Sequence, residues 1–295
     1  MLSKFRRVPN LLNSNKINKF NNFNPPIQNQ FYQNQFYQKN CVTNYSTVAN
    51  TFDKENVGLN YFINNVLRKT GVGILGTLAT ASTLTYVAPE FLAQNALPLL
   101  LVGGIGSIAS IFLYKENDFT VKNENHKGQL IPVAQHSNRN KLVYTGLSLS
   151  NGLVIAPVVL MASVINPLIL PSAIVLSAGT MAGASWYTLN QKNSNISAWG
   201  PSLYGALVGM VGMGLISLIT LPFFPQLAML WFTVDPYIGI ALFSALTAYD
   251  THRATEDYKE GNYDDLGSSI TFFLNFINLF VRFMELLSRF QPIDK

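Results

Sequence analysis

Long charge-free apolar runs alternate along this chain with short polar segments. Leu97–Tyr114, Leu142–Val164, Pro167–Gln191 and Ala198–Phe232 contain no Asp, Glu, Lys or Arg. An uncharged apolar run of about 18 residues is long enough to cross a bilayer as a helix. One such run can be the core helix of a soluble domain, but six or seven in succession cannot. The pattern predicts spans at 71–89, 97–114, 142–164, 168–189, 199–221, 228–250 and 267–288. The fold class is therefore an all-α membrane protein, a seven-helix bundle over residues 71–290. A polar pre-membrane segment, 53–70, and a disordered Asn/Gln-rich leader, 1–52, precede it.

Punctuation within the runs refines this picture. Pro157, Pro167, Pro171, Pro222 and Pro225 fall within or beside spans, where proline kinks or terminates a helix. Gly103, Gly104, Gly106, Gly179, Gly183, Gly205, Gly209, Gly212 and Gly214 crowd three of the spans. Gly179 with Gly183, and Gly205 with Gly209, have GxxxG spacing. Small residues let helix backbones approach closely, so these pairs are expected to pack against other helices of the same chain.

The last two runs carry polar groups. Gly239–Thr251 has Asp250 near its end, and Phe272–Leu287 holds Asn275, Asn278, Arg282 and Glu285. On a helix those four fall within an arc of roughly 80°. Ionisable groups in lipid-embedded segments are costly, which makes these residues candidates for an ion pathway or its gate. A helix with one polar stripe can also lie in the membrane interface rather than cross. Arg282 is placed to pair with Asp250 or Glu285. Glu285 lies about 15 Å along the helix from Asn275, at another depth. Between the two runs, Glu256, Asp257, Glu260, Asp264 and Asp265 either attract cations to a pathway mouth or form a solvated loop. Asp235 reads as interfacial.

Composition sharpens the class. Hydrophobic residues make up 48% of the 295 positions and charged residues 12%, against about 25% charged in soluble domains. The formal charge of +5 resides in the leader and loops, which argues for orientation in a membrane and against nucleic acid. Arg68 and Lys69 flank the first span. Lys115, Lys122, Lys127, Arg139 and Lys141 follow the second, Lys192 the fourth, and Arg253 and Lys259 the sixth. The other three loops have no basic residue, so the basic segments and the amino terminus should share one side.

Candidate chemistry is sparse. Cys41 is the single cysteine, which excludes an intramolecular disulfide and a multi-cysteine metal site. His126, His136 and His252 lie in segments read as polar loops, without ligand-like spacing. No phosphate-cradling glycine loop, nucleophile elbow or HExxH is present, so neither an enzyme nor a cofactor site is expected. Met1–Phe52 carries Lys4, Arg6, Arg7, Lys16, Lys19 and Lys39 and no acid. It lacks the apolar core of a secretory signal. It reads as a mitochondrial transit peptide cleaved between residues 35 and 55, or as an Asn/Gln-biased tail. The first reading places the chain in the mitochondrial inner membrane with its processed amino terminus in the matrix.

The tail carries a resemblance. FSALTAYDT (Phe243–Thr251) and FFLNFINLFVRF (Phe272–Phe283) resemble the closing signature of the Bax-inhibitor-motif transmembrane family. Leu149–Leu160 and Trp199–Leu215 resemble the middle spans of its mitochondrial branch. The resemblance implies a seven-helix bundle with the last helix central. It also implies calcium leak or calcium/proton exchange, control of cell death and, for the mitochondrial branch, cristae organisation. Transporting members pair an aspartate on span six with one on span seven. This chain matches the first with Asp250 but has Asn275 at the second position. An amide cannot hold a shared proton, and one carboxylate is a poor calcium cage. Two readings follow: a Ca²⁺ pathway gated around Asp250, with Ca²⁺ as cargo, or a non-transporting membrane organiser. The second would act through inner-membrane or apoptosis-related protein partners.

Overall fold

Pro25 and Pro26 precede the first helix, and no further proline or glycine interrupts the chain until Gly58. A computed structural model describes residues 27–290, apart from 117, 127 and 191–194. Helix α1 spans Ile27–Val87 and stops just before Ala88-Pro89. Proline disfavours helical geometry in the residue before it, which explains the stop. There follow α2 (Pro89–Gln94), α3 (Ala96–Leu113), the strands β1 (Phe119–His126) and β2 (Gln129–His136), α4 (Asn138–Ile165) and α5 (Ile169–Asn190). A 3-10 turn at Ile196–Trp199 leads to α6 (Gly200–Thr220), α7 (Pro225–Lys259) and α8 (Asp265–Phe290).

The chain divides into two units, Met1–Asp53 and Lys54–Lys295. In the first, residues 1–26 of the predicted leader lie outside the described residues, and 27–52 belong to α1. The second unit contains all the apolar runs. Six of its helices, α3 to α8 with the 3-10 turn joined to α6, are long and apolar enough to cross a membrane. The predicted first span, 71–89, forms the end of α1 but is not among the six. Its inward residues Thr77 and Thr85 are buried hydroxyls, which lowers its apolarity.

Several boundaries follow from local chemistry. Ser137 caps α4 by accepting the Asn140 N–H and donates to Asp118 at 2.7 Å. Pro167 separates α4 from α5, Pro171 sits in the first turn of α5, Pro222 follows α6 and Pro225 opens α7. Pro157 and Pro236 lie inside α4 and α7. Gly261, at φ +85°, ends α7 in a conformation that a side chain would strain.

Two parts of the sequence reading are corrected. The segment between spans two and three is not a plain loop: Phe119–His126 pairs antiparallel with Gln129–His136, from Phe119↔His136 to His126↔Gln129. Two β-prone stretches flank Gly128, whose φ of +79° completes the turn. Helix α7 also continues nine residues past Asp250, so Glu256 and Asp257 are helical and only 260–264 connect it to α8. Loss of apolarity ends a span, but it does not end a helix.

The glycine expectation divides. A Cβ at Gly73 would lie 2.2 Å from the Tyr144 hydroxyl, at Gly103 2.7 Å from the Ser150 carbonyl, and at Gly152 2.5 Å from Thr80 Cβ. These glycines allow α1 and α3 to approach α4. A Cβ at Gly179, Gly183, Gly205 or Gly209 would meet nothing within 4 Å. The GxxxG pairs therefore do not pack inside the chain as expected. They lie on open faces of α5 and α6, where small residues leave nothing for a neighbour to grip.

Helix α8 is the most enclosed of the six, with half of its most apolar window buried against 6% for α3. Phe272, Phe273, Leu279, Phe280 and Met284 are fully buried along it. It packs on α4, α5 and α7, and reaches α1 through Ser269, which donates to the Val66 carbonyl at 3.0 Å. The outer helices instead expose Leu97, Ile105, Phe112, Val208 and Ile219. Apolar side chains facing outward on all but the central helix are the mark of a lipid-facing bundle, and this is an integral membrane protein in a bilayer.

Candidate functional site

Asp250 and Asn275 come together at the heart of the bundle. Each is 5% exposed, and the Asn275 side-chain amide donates to Asp250 Oδ2 at 2.7 Å. Two contacts from α5 hold this part of α7 in place. Ser185 and Thr251 share a hydrogen bond of 3.0 Å, and Thr188 donates to the Ala248 carbonyl at 3.1 Å. The α8 side is fixed by buried Phe272, Phe273 and Phe276 beside Asn275. Arg253, one turn beyond Asp250, contributes positive potential to it. The site thus has one carboxylate, satisfied by an amide.

The rest of the predicted stripe disperses. Asn278 spends its amide on the Leu274 carbonyl of its own helix, at 2.8 Å. Arg282 does not reach Asp250 or Glu285, as sequence spacing had suggested. Its Nε lies 3.1 Å from Asp235 Oδ2, both side chains being about five-sixths buried (17% and 16% exposed). That Nε makes no aligned hydrogen bond, so the pair is held by charge and proximity. Gly239 makes room for it, since a Cβ there would stand 2.6 Å from Nε. Asp235, read from sequence as interfacial, is therefore a partly enclosed partner of α8. Glu285 pairs within its helix to Arg289 at 2.7 Å.

Arg289 has a second task. It donates to the Thr233 carbonyl at 2.9 Å and to that of Phe232. Pro236 has no N–H, so the Phe232 carbonyl four residues earlier loses its helical donor. The guanidinium from α8 supplies the missing one.

The five acidic residues between the helices also separate. Glu256 is exposed and accepts from Ser197 at 3.1 Å, with His252 Nε2 3.1 Å away. Asp257 pairs loosely with Arg253 at 3.9 Å, and Glu260 faces solvent. Asp264 and Asp265 turn inward and are buried. Lys69 Nζ and His136 Nε2 each lie 2.5 Å from Asp265 Oδ1, and the Tyr114 hydroxyl donates to Asp264 at 2.8 Å. Burial, and then the Asp264 carboxylate, push the Tyr114 phenol above its usual range. These contacts join the flank of α1, the end of α3, the hairpin and the start of α8. Of the basic segments predicted to share a side, those bearing Lys69, Lys115 and Arg139 meet around the hairpin and the start of α8. Lys127, Lys192 and Lys295 fall outside the described residues.

Sequence reasoning missed His136 and Asp235. The short apolar run Leu130–Ala134 just after Gly128 was the available signal for the first, because it permits a strand that ends at His136. For the second there was none, because nothing in a sequence names the partner of Arg282. Among the described residues, no three His, Cys, Asp or Glu side chains converge to hold a metal ion.

A buried carboxylate–amide pair joining the last two helices of a polytopic bundle defines the class, a multi-pass membrane protein with a polar seam at its core. The family described as inhibitor of apoptosis-promoting Bax1 matches residues 59–292, and the chain belongs to it. It is also similar to the inner membrane protein YbhL of Escherichia coli, in both the K12 and the O6:H1 strains. The identity is 29% over 123 residues, covering 39% of this chain and 50% of YbhL. The match thus spans about half the length of the curated relatives.

Proposed function

We propose that this protein is a seven-span Ca²⁺ pathway of the mitochondrial inner membrane, gated at Asp250 and linked to apoptosis control and cristae organisation. The observation that supports this reading is the buried contact between Asp250 and Asn275 where α7 meets α8, at the two positions to which the family resemblance assigns ion handling. The segment 71–89, as the first span, brings the number to seven, a count that the alternation of basic and neutral loops supports. The basic leader supports the mitochondrial address, with the processed amino terminus and basic loops in the matrix. With one carboxylate in the seam, the pathway is a leak or weakly pH-dependent exchanger rather than one driven by a proton shared between two acids. The protein acts without a cofactor and is not an enzyme.

A second reading has its own support. Arg282, Glu285 and Asn278 are each committed to a protein partner, as in a helix whose polar groups serve packing. On this reading the chain is a non-transporting organiser or anti-apoptotic scaffold that acts through protein partners.

Ca²⁺ flux into proteoliposomes separates the two. Wild type should exceed empty liposomes, Asp250→Ala should fall to their level, and Asn275→Asp should make flux steeply pH-dependent. Wild-type flux equal to empty liposomes, with no gain in Asn275→Asp, would sink the transport reading. Protease protection of a carboxyl-terminal tag in mitoplasts tests the orientation.

A further inference from the structure

Away from the Asp250–Asn275 seam, one imidazole is enclosed by charged groups. His136 ends β2, and its side chain is 2% exposed. Its Nε2 lies 2.5 Å from Asp265 Oδ1, which also receives Lys69 Nζ at 2.5 Å. Its Nδ1 is buried without a hydrogen-bond partner and lies 3.8 Å from Asp264 Oδ1. Asp264 is itself held by the Tyr114 hydroxyl and the Gly267 N–H, each at 2.8 Å. The groups facing the ring come from every element packed on it. They are Lys69 of α1, Tyr114 after α3, and Asp264 and Asp265 at the start of α8. Glu116 and Asp118 lie in the turn before β1, where Asp118 binds Ser137 and the Phe119 ring covers the imidazole at 5.6 Å.

We propose that Nδ1 of His136 is a proton-binding site that clasps the β-hairpin onto the start of α8. A neutral imidazole carries a single N–H, and the short contact with the Asp265 carboxylate places it on Nε2. Nδ1 then presents a bare lone pair toward the Asp264 carboxylate, at a distance too long for a hydrogen bond. A proton taken up there creates a second N–H directed at Asp264, and the ring bridges both carboxylates. Counting Lys69, His136, Asp264 and Asp265, the cluster carries one net negative charge before uptake and none after. Imidazole is the side chain suited to change charge between about pH 5 and 8. The clasp tightens as pH falls and loses its second bond as pH rises. It concerns the hairpin and α8 whether or not the seam conducts ions.

Hydrogen exchange of the full chain in lipid nanodiscs reads the clasp directly. After correction for intrinsic rates, the amides of Gln129–His136 should exchange about tenfold more slowly near pH 6 than near pH 9, the effect of one charged hydrogen bond. His136→Gln keeps a donor toward Asp265 but binds no proton, so its exchange should lose that difference. Equal wild-type protection at both pH values, or an unchanged difference in His136→Gln, overturns the proposal. A variant that fails to fold leaves a second measurement on native His136. In ¹⁵N-histidine spectra of a His126→Gln, His252→Gln chain, the neutral ring should carry its proton on Nε2 and gain a second on Nδ1 as the pH falls. A neutral ring with its proton on Nδ1, or a ring that does not titrate, equally refutes it.

Discussion

Replacing Gly152 by alanine tests the close packing of α4 on α1 that sets the bundle's geometry. The new Cβ would lie 2.5 Å from Thr80 Cβ, 2.9 Å from Thr80 Cγ2 and 2.9 Å from the Thr77 carbonyl. Carbon atoms settle at about 3.5–4.0 Å, so the helices must part by roughly 1 Å. The move would strain the bonds that stitch them, Thr77 to the Ser148 carbonyl at 2.8 Å and Ser148 to the Gly73 carbonyl at 2.6 Å. Overpacking of this kind costs about 1–3 kcal/mol. Alanine regains about 1 kcal/mol through helix propensity, leaving a net loss of up to about 2 kcal/mol. Gly209→Ala receives the propensity gain without the clash, since nothing lies within 4 Å. The two variants should differ by about 1–3 kcal/mol. At about 2–4 °C per kcal/mol, Gly152→Ala should melt roughly 2–12 °C below Gly209→Ala in detergent. Equal midpoints, or a lower one for Gly209→Ala, would refute the assignment of buried and open glycines.

Asn275→Ala strips Asp250 of its amide donor inside the bundle and should cost about 1–3 kcal/mol in thermal or denaturant unfolding. Replacing Asp250 and Asn275 together by leucine should cost less than Asn275→Ala alone, and a greater loss contradicts the pairing. Arg282→Met leaves Asp235 enclosed without its cation, with a loss below the about 3–5 kcal/mol of a fully buried pair. Gly239→Ala should reproduce part of it by displacing the guanidinium, and wild-type melting of both variants would count against that ion pair. Tyr114 supplies a pH test. Its folded-state pKa is raised, so its contribution is complete below the ordinary phenol value of about 10 and is lost as pH rises beyond it. Tyr114→Phe should flatten the alkaline fall in stability, and an unchanged fall excludes Tyr114 as its source.

The helices were legible because lipid imposes a blunt rule on sequence. The predicted span 142–164 lies inside α4 (Asn138–Ile165), and 168–189 coincides with α5 (Ile169–Asn190) to within one residue at each end. Asp250 and Asn275 were legible as neighbours through the family signature in which they sit. What escaped has a common physical origin. The hairpin is built from two eight-residue strands, one mostly polar, and a search for long apolar runs passes over it. A helical stripe gives the direction of Arg282 and Glu285 but not what stands opposite, so Arg282 was matched to Asp250 or Glu285 rather than to Asp235. Asp264 and Asp265 look like solvent residues in sequence, yet Lys69, His136 and Tyr114 arrive from three distant segments to enclose them. Glycine spacing showed where close approach was permitted, not where another helix took advantage of it.

The proline in α7 ties the motions of the last two helices together. A helix that lacks one rung would ordinarily swivel there, and Pro236 lies between Asp235 and Asp250. Here Arg289 reaches across from the end of α8 and fills the gap at Phe232. The guanidinium works as a splint: a tilt of the outer section of α7 against the section bearing Asp250 must drag the last turn of α8 with it or release that grip, and must strain the Arg282–Asp235 pair as well. Together with the Arg282–Asp235 pair, this contact ties the outer section of α7 to α8 on the far side of the proline from Asp250.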